Sequence, residues 1–298
     1  MTTHRNLIAY IFCILVQLFL SAHYVVAKGI IENVDPISFA AVRGIIGGFL
    51  ILAFNWKKLF SVVRYNYGKF LMVVLIGILS FGLNQIFFMK GLKLSTPMHA
   101  ALFSNSIPLV SSMMAMAFLG EERNPRKVLG LILGYATLIF YIFGSGDTSF
   151  DGALKGDIYI MINVFLFSAG MVWSKNIYQY IPASVVSGGM LFFGGIFLSS
   201  LSFSHIPELI EYTLLSKQNV SLMLFEVVFS TAVVYLLNLK SLEMLDVSKT
   251  FIFSYLQVPI TALIGLVFFS KLPALSILPT SIVLFLSVYL VLWRKKRA

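Results

Sequence analysis

A chain of 298 residues that is 59% hydrophobic and 11% charged, with a mean hydropathy of +0.92, has too little polar surface to be a water-soluble domain. Its net charge of +10 is dispersed and accompanied by no nucleic-acid-binding motif, so the excess Lys and Arg reads as a membrane-topology signal, not as a nucleic-acid partner. The single cysteine, Cys13, excludes an internal disulfide and sits in an apolar run as a small hydrophobe.

About 20 helical residues cross an apolar bilayer core. On that measure the chain divides into ten spans, at about 6–27, 36–55, 70–90, 97–119, 127–145, 155–176, 184–203, 220–239, 247–269 and 275–293. The separators are Trp56-Lys57-Lys58, Gly120 to Lys127, Gly144 to Asp151, Pro207 to Lys217 and Lys271-Leu272-Pro273. Pro36, Pro97 and Pro182 fall near span starts, where a missing amide hydrogen costs little. Pro108 and Pro259 fall inside spans and predict kinks. The first span carries Arg5 and Val25-Val26-Ala27 in the manner of a cleaved leader, but its apolar run is long for that role. Asn219-Val220-Ser221 fits a glycosylation acceptor and is read as chance.

The expected fold is therefore an all-α integral membrane protein with ten transmembrane helices. With both termini in the cytoplasm, the bases Lys57, Lys58, Arg64, Lys69, Arg123, Arg126, Lys127 and the Arg294-Lys295-Lys296-Arg297 tail lie inside. Lys28, Lys90, Lys93, Lys155, Lys217 and Lys271 lie outside, so the positive-inside rule favours that orientation. The tail reads as a cytoplasmic stop that meets lipid headgroups. Trp56 and Trp293 read as interfacial anchors.

The two halves resemble each other. Ser21 to Lys28 lies over Ser168 to Lys175, and Gly47-Gly48 over Gly194-Gly195, both at a shift of 147. Lys90-Gly91-Leu92 lies over Lys240-Ser241-Leu242 at a shift of 150, and Pro108 lies over Pro259 after one further gap. This order reads as a duplication into residues 1–150 and 151–298. Each copy holds five spans, an odd number, so the second enters the membrane inverted. That is the architecture of alternating access about a midplane site. The glycine pairs are expected to permit close helix contact.

Several short motifs then carry a family resemblance. They are Val26-Ala27-Lys28, Asp35-Pro36-Ile37, Arg43, Pro108, Leu119-Gly120-Glu121-Glu122, Leu129-Gly130-Leu131, Gly156-Asp157 and Pro259. In this order the chain resembles the EamA-like branch of the drug/metabolite transporter superfamily over almost its whole length. The second half departs from the pattern, reading Phe269-Ser270-Lys271 where the Gly-Glu ending would recur, and Met190 where Arg43 would. The resemblance implies a bacterial inner-membrane carrier, commonly an exporter of amino acids, metabolites or drugs, with a central cavity lined by both repeats.

Within the spans, Arg43 and Glu226 are the sharpest signals, because an intramembrane charge is costly unless paired or wet. Both lie about 10 Å deep from the same side, at 1.5 Å per residue, which permits an ion pair. Glu226 is also a candidate for coupling to a proton or other ion, or for contact with a solute amine. His23 reads as a hydrogen-bonded packing residue that could titrate in a cavity, and it is a candidate for the solute site. The remaining candidates for a solute site are Ser21 and Tyr24, then Asn84, Gln85 and Phe88, then Phe103, Ser104 and Asn105. The second half adds Asn163, Trp173, Tyr235, Phe253, Tyr255 and Gln257. Buried amides need partners, so Asn84, Gln85, Asn105 and Gln257 bond either another helix or a solute. Asn105 and Gln257, just before the matched prolines, mark the preferred position of the site.

No set of His, Cys and carboxylates stands at metal spacing and no cofactor motif occurs, so neither a metal nor a cofactor is expected. The chain lacks both a catalytic constellation and a phosphate-cradling loop, which argues against an enzyme or a nucleotide-driven pump. The expected partners are a small solute and membrane lipid, with a coupling ion and a homodimer left open. The expected activity is secondary transport of an amino acid or related metabolite or drug. The alternatives are exchange of nucleotide sugars or other phosphorylated metabolites, and a non-transporting sensor or assembly protein.

Overall fold

The computed structural model describes residues 2–94, 103–144, 154–178, 180–257, 259–260, 263–264 and 277–293. The described chain is helical throughout. Six of its helices are long and apolar enough to cross a membrane, and two shorter apolar helices accompany them.

The chain opens with α1 (Thr2–Ile31) and α2 (Pro36–Phe54). Asp35 caps α2 by accepting the Ser38 amide at 2.7 Å, and Pro36 occupies the first turn, where its missing amide hydrogen leaves nothing unsatisfied. A ten-residue helix, α3 (Trp56–Tyr65), leads to α4 (Tyr67–Leu94), which carries a π turn at Ile78–Leu83. Then come α5 (Ile107–Phe118), α6 (Pro125–Gly144) and α7 (Leu154–Ile177). In the second half α8 (Ala183–Ser202) passes through a 3-10 turn, Phe203–His205, into α9 (Ile206–Leu214). Next, α10 (Lys217–Met244) has its own π turn at Val228–Val233. The short α11 (Val247–Phe251) runs into a 3-10 stretch, Ile252–Leu256, and α12 (Ile277–Leu292) follows.

Two expected separators turn out to be helices, α3 and α9. The span criterion looks for continuous apolarity, and both helices are amphipathic, so it passes over them. The expected 97–119 span also breaks: the chain turns at Asn105-Ser106, and Pro108 sits in the first turn of α5 instead of kinking a continuous helix. The expected 247–269 span begins as α helix and tightens to 3-10 geometry at Ile252. Pro97, Lys271-Leu272-Pro273, Phe269-Ser270-Lys271 and the basic tail lie outside the described residues.

α2 and α8 meet through glycine. A Cβ added to Gly48 would stand 2.4 Å from the Phe192 backbone nitrogen, and one on Gly195 would stand 2.6 Å from that of Ile45. The two backbones therefore touch without side chains between them, as the paired glycines predicted. Most of the core lies around this contact, with Phe39, Phe81, Met89, Met190 and Leu191 fully enclosed. A second apolar cluster joins α1, α6, α12 and the 3-10 stretch through Cys13, Leu131, Tyr255 and Leu284.

Candidate functional site

Glu226 is completely buried in α10, two residues before the π turn. Its Oε2 lies 2.7 Å from His23 Nδ1 of α1 and accepts a longer bond, 3.4 Å, from Arg43 Nη1 of α2. The Arg43 Nη2 donates to Gln85 Oε1 at 2.6 Å, and Gln85 Nε2 donates to Asn84 Oδ1 at 3.2 Å. Asn84, directly after the first π turn, donates to the Asn163 carbonyl of α7 at 2.9 Å, and Asn163 returns a bond to the Asn84 carbonyl at 3.3 Å. One polar chain thus crosses α1, α2, α4, α7 and α10 through an otherwise apolar core.

The Arg43 Nη1 lies 3.4 Å from both His23 Nδ1 and His23 Nε2, so the imidazole meets the acid and the base together. Arg43 is further held over the Phe39 ring at 5.1 Å, a cation–π contact. Two atoms of this network, Arg43 Nε and Glu226 Oε1, are buried with no hydrogen-bond partner among the described residues. One is a donor and one an acceptor, on groups of opposite charge.

The other sequence candidates divide. Tyr24 packs against His23 and Phe88, at ring separations of 6.0 and 6.2 Å. Tyr235 meets Phe81 edge-on at 5.6 Å and is buried beside this network. Ser104 and Asn105 are buried where the chain turns before α5, and Phe103 packs on the core beside them. Gln257 donates to Gln17 at 2.8 Å, and the Ser21 hydroxyl donates to the Gln257 carbonyl at 3.5 Å. Gln17 is a residue the sequence reading missed. It stands one turn before Ser21 on the same face of α1, and that spacing was the available signal.

Three candidates point elsewhere. Trp173 is 52% exposed on the outside of the bundle, so it does not face the centre. Tyr255 belongs to the second cluster: its hydroxyl donates to the Leu131 carbonyl at 2.8 Å, and its ring fills the space at Gly134, where a Cβ would lie 2.1 Å away. Phe253 sits in that cluster too, against Tyr10 at 5.7 Å. Each of these was assigned by residue type, whereas the face of the helix decides the direction.

His23 is hydrogen-bonded, and its partners are the two charged residues of the spans. Among the described residues no three His, Cys, Asp or Glu come together as a metal-ligand group.

A second charged knot stands at one end of the bundle. Gly120, with φ of 65°, ends α5 in the left-handed conformation that glycine adopts at no steric cost, and so turns Glu121 inward. Glu121 Oε1 accepts the Val247 amide at 2.5 Å, while Oε2 accepts the Ser248 hydroxyl and Lys127 Nζ, each at 2.7 Å. Glu121 thereby caps α11, a helix of the other half. Lys175 donates to the Leu242 and Leu245 carbonyls, and Lys249 pairs with Asp246. These groups line a cavity of about 920 Å³. A cavity of about 580 Å³ at Asp35, Lys93 and Glu208 is separate from it. Neither is lined by His23, Arg43 or Glu226.

Six apolar helices around a buried, charge-bearing network define a polytopic membrane protein. The model of the EamA-like transporter family matches the chain twice, at residues 7–143 and 154–293, and the chain belongs to that family. It is 27% identical over 174 residues to the uncharacterized transporter YyaM of Bacillus subtilis (strain 168), a match spanning 57% of this chain and 54% of the relative. The chain thus matches about half the length of that relative. It is 24% identical over 208 residues, 70% of this chain and 68% of the relative, to the S-adenosylmethionine uptake transporter of Rickettsia bellii (strain RML369-C). A solved crystal structure superposes with a TM-score of 0.80 at 18% identity, covering 97% of this chain and 96% of the other, and it shares the fold.

Proposed function

We propose that this transporter moves a small zwitterionic solute, such as an amino acid or a related metabolite, by alternating access, and that the His23–Arg43–Glu226 network is where the solute is sensed. The observation that carries the reading is the pair of unsatisfied atoms, Arg43 Nε and Glu226 Oε1. A solute that brings a carboxylate to the guanidinium and an ammonium to the carboxylate meets both needs at once. An uncharged solute can hydrogen-bond these atoms but forms the weaker bonds, without charge on both partners. A phosphorylated solute would call for several cations, and Arg43 is the one base within the network. The Rickettsia relative is named for S-adenosylmethionine, a solute with an amino-acid moiety, which supports the same class.

The proposed framework is ten spans in two inverted five-helix repeats, residues 1–150 and 151–298, in a bacterial inner membrane with both termini in the cytoplasm. The two separate family matches support it. So do the two π turns, Ile78–Leu83 and Val228–Val233, which have the same length and stand 150 residues apart. π turns mark places where a helix has given up regular bonding, frequently for function. Here each lies beside the network, before Asn84 and after Glu226. Export is the proposed direction, and a proton is the proposed coupling ion, carried by Glu226.

Purified protein in liposomes tests this by uptake of amino acids, S-adenosylmethionine, amines and purines, with and without an imposed pH gradient. Zwitterions should be transported, and Glu226→Gln should weaken zwitterion binding and remove the pH dependence of the transport that remains. Equal transport of neutral analogues would exclude the zwitterion reading, and pH-driven flux unchanged in Glu226→Gln would exclude the coupling role.

A further inference from the structure

The side chains of α3 sort into three sectors at helical spacing. Leu59, Val62 and Val63 face the bundle, with Val62 only 5% exposed. Trp56 and Phe60, one turn apart and each 62% exposed, form a second apolar strip that no described residue buries. Beside that strip stand Lys57 and Arg64, while Lys58 lies on the opposite side of the helix, and all three are exposed. Lys57 Nζ lies 5.8 Å from the Trp56 ring centre, and the Arg64 guanidinium lies 5.5 Å from that of Tyr65.

α9 is the counterpart of α3. The repeat offset is 147 at Gly47 and Gly194 but 150 at the π turns, and the three residues of the 3-10 turn Phe203–His205 account for the step. Trp56, Lys58, Leu59 and Phe60 then lie over Ile206, Glu208, Leu209 and Ile210. The apolar arrangement is kept, since Leu209 is 1% exposed against the bundle and Ile210 is 52% exposed. The charge is not. Lys57, Lys58 and Arg64 give way to Pro207, Glu208 and Leu214, and Glu211 adds a second acid. A helix that merely connected two spans would need neither the exposed strip nor the change of sign.

We propose that α3 is a lipid-binding surface on which Trp56 and Phe60 enter the boundary of the acyl chains and Lys57 and Arg64 collect anionic phospholipid headgroups. Apolar anchorage beside a cluster of bases is the arrangement by which amphipathic helices hold anionic membranes, and the charge complementarity fixes the class of lipid. α9 has the anchorage without the bases and shows no such preference. The assignment of α3 to the cytoplasmic leaflet rests on the topology proposed above, but the preference for anionic lipid does not.

The test uses the full chain with Trp173→Phe and Trp293→Phe, which leaves Trp56 as the single tryptophan. It is reconstituted in phosphatidylcholine bilayers containing either brominated phosphatidylcholine or brominated phosphatidylglycerol at equal mole fraction. The brominated phosphatidylglycerol should quench Trp56 at least about twofold more strongly at low salt, and the difference should shrink at high salt. Lys57→Gln and Arg64→Gln together should erase the difference while keeping quenching by both lipids. Equal quenching in the parent protein overturns the proposal, as does a preference that survives the double substitution or a Trp56 that neither lipid quenches. A clear preference in protein that transports nothing upholds the surface and counts against the transport reading alone.

Discussion

His23 Nδ1 and Glu226 Oε2 stand 2.7 Å apart across 203 positions of sequence, and Arg43 Nη1 lies 3.4 Å from both that carboxylate oxygen and the ring. The carboxylate and the guanidinium offset one another's charge, which is the condition under which ions persist inside an apolar core. His23 is the hinge of this set, because its ring lies within hydrogen-bond distance of both the acid and the base.

The first prediction concerns that charge balance. Arg43→Gln or Glu226→Gln alone leaves the opposite charge buried and should cost about 3 kcal/mol of stability. The double substitution removes both charges and should recover a large part of that loss. Unfolding of the purified variants in detergent measures the cycle. Additive losses would mean the two charges do not stabilise each other.

The second follows from the α2–α8 contact. Gly48→Ala places a methyl group 2.4 Å from the Phe192 backbone nitrogen, which no rotamer change relieves. The expected loss is about 1–3 kcal/mol, towards the upper end because the obstacle is main chain. Gly68, with nothing within 4 Å of an added Cβ, is the control, and Gly68→Ala should leave the melting temperature unchanged or slightly raised.

The third addresses Glu121. Its carboxylate accepts the Val247 amide and the Ser248 hydroxyl at the start of α11 and pairs with Lys127. Glu121→Ala leaves those donors without their acceptor and should cost about 1–2 kcal/mol, the scale of a lost helix cap. The neighbouring Glu122 is exposed, and Glu122→Ala should fall within about 0.5 kcal/mol of the parent in the same melts.

The fourth is a pH dependence. Burial pushes the Asp246 carboxyl up, but the bond from Lys249 and the charges of Lys249, Lys175 and Lys127 outweigh it and hold the group below its ordinary value of 3.8. A carboxyl depressed in the folded state adds stability that is full above its unfolded value and is lost as pH falls through the folded one. Asp246→Asn should therefore be less stable than the parent at neutral pH, and the difference should close below about pH 4. Melting temperatures measured from neutral to acid pH check this. A constant gap across the series would show that the Asp246 charge contributes nothing.

Much of the fold is legible in the residues themselves. Long apolar runs give the membrane helices, the paired glycines give the α2–α8 contact, and the matched blocks suggest two related halves. The depth of Arg43 and Glu226 suggests that they meet. The amphipathic α3 and α9 escaped notice because a search for spans looks for residues that are apolar all round. Gln17 shows locally only as sharing a helix face with Ser21, and the role of Glu121 shows not at all, because each bonds a partner more than 100 residues away in the other half.

What the sequence determined by itself was the solvent and the inventory. A chain this apolar has to be helical in lipid, because every backbone polar group must be satisfied within its own segment, and charges placed inside spans require company. Tertiary structure alone decided who keeps that company. A 3.6-residue period tells which side chains share a face but not what each face meets, so His23 joined the ion pair, Tyr255 turned to α6 and Trp173 turned outward. Those outcomes depend on how the helices are rotated and packed against one another, and that is a property of the whole bundle.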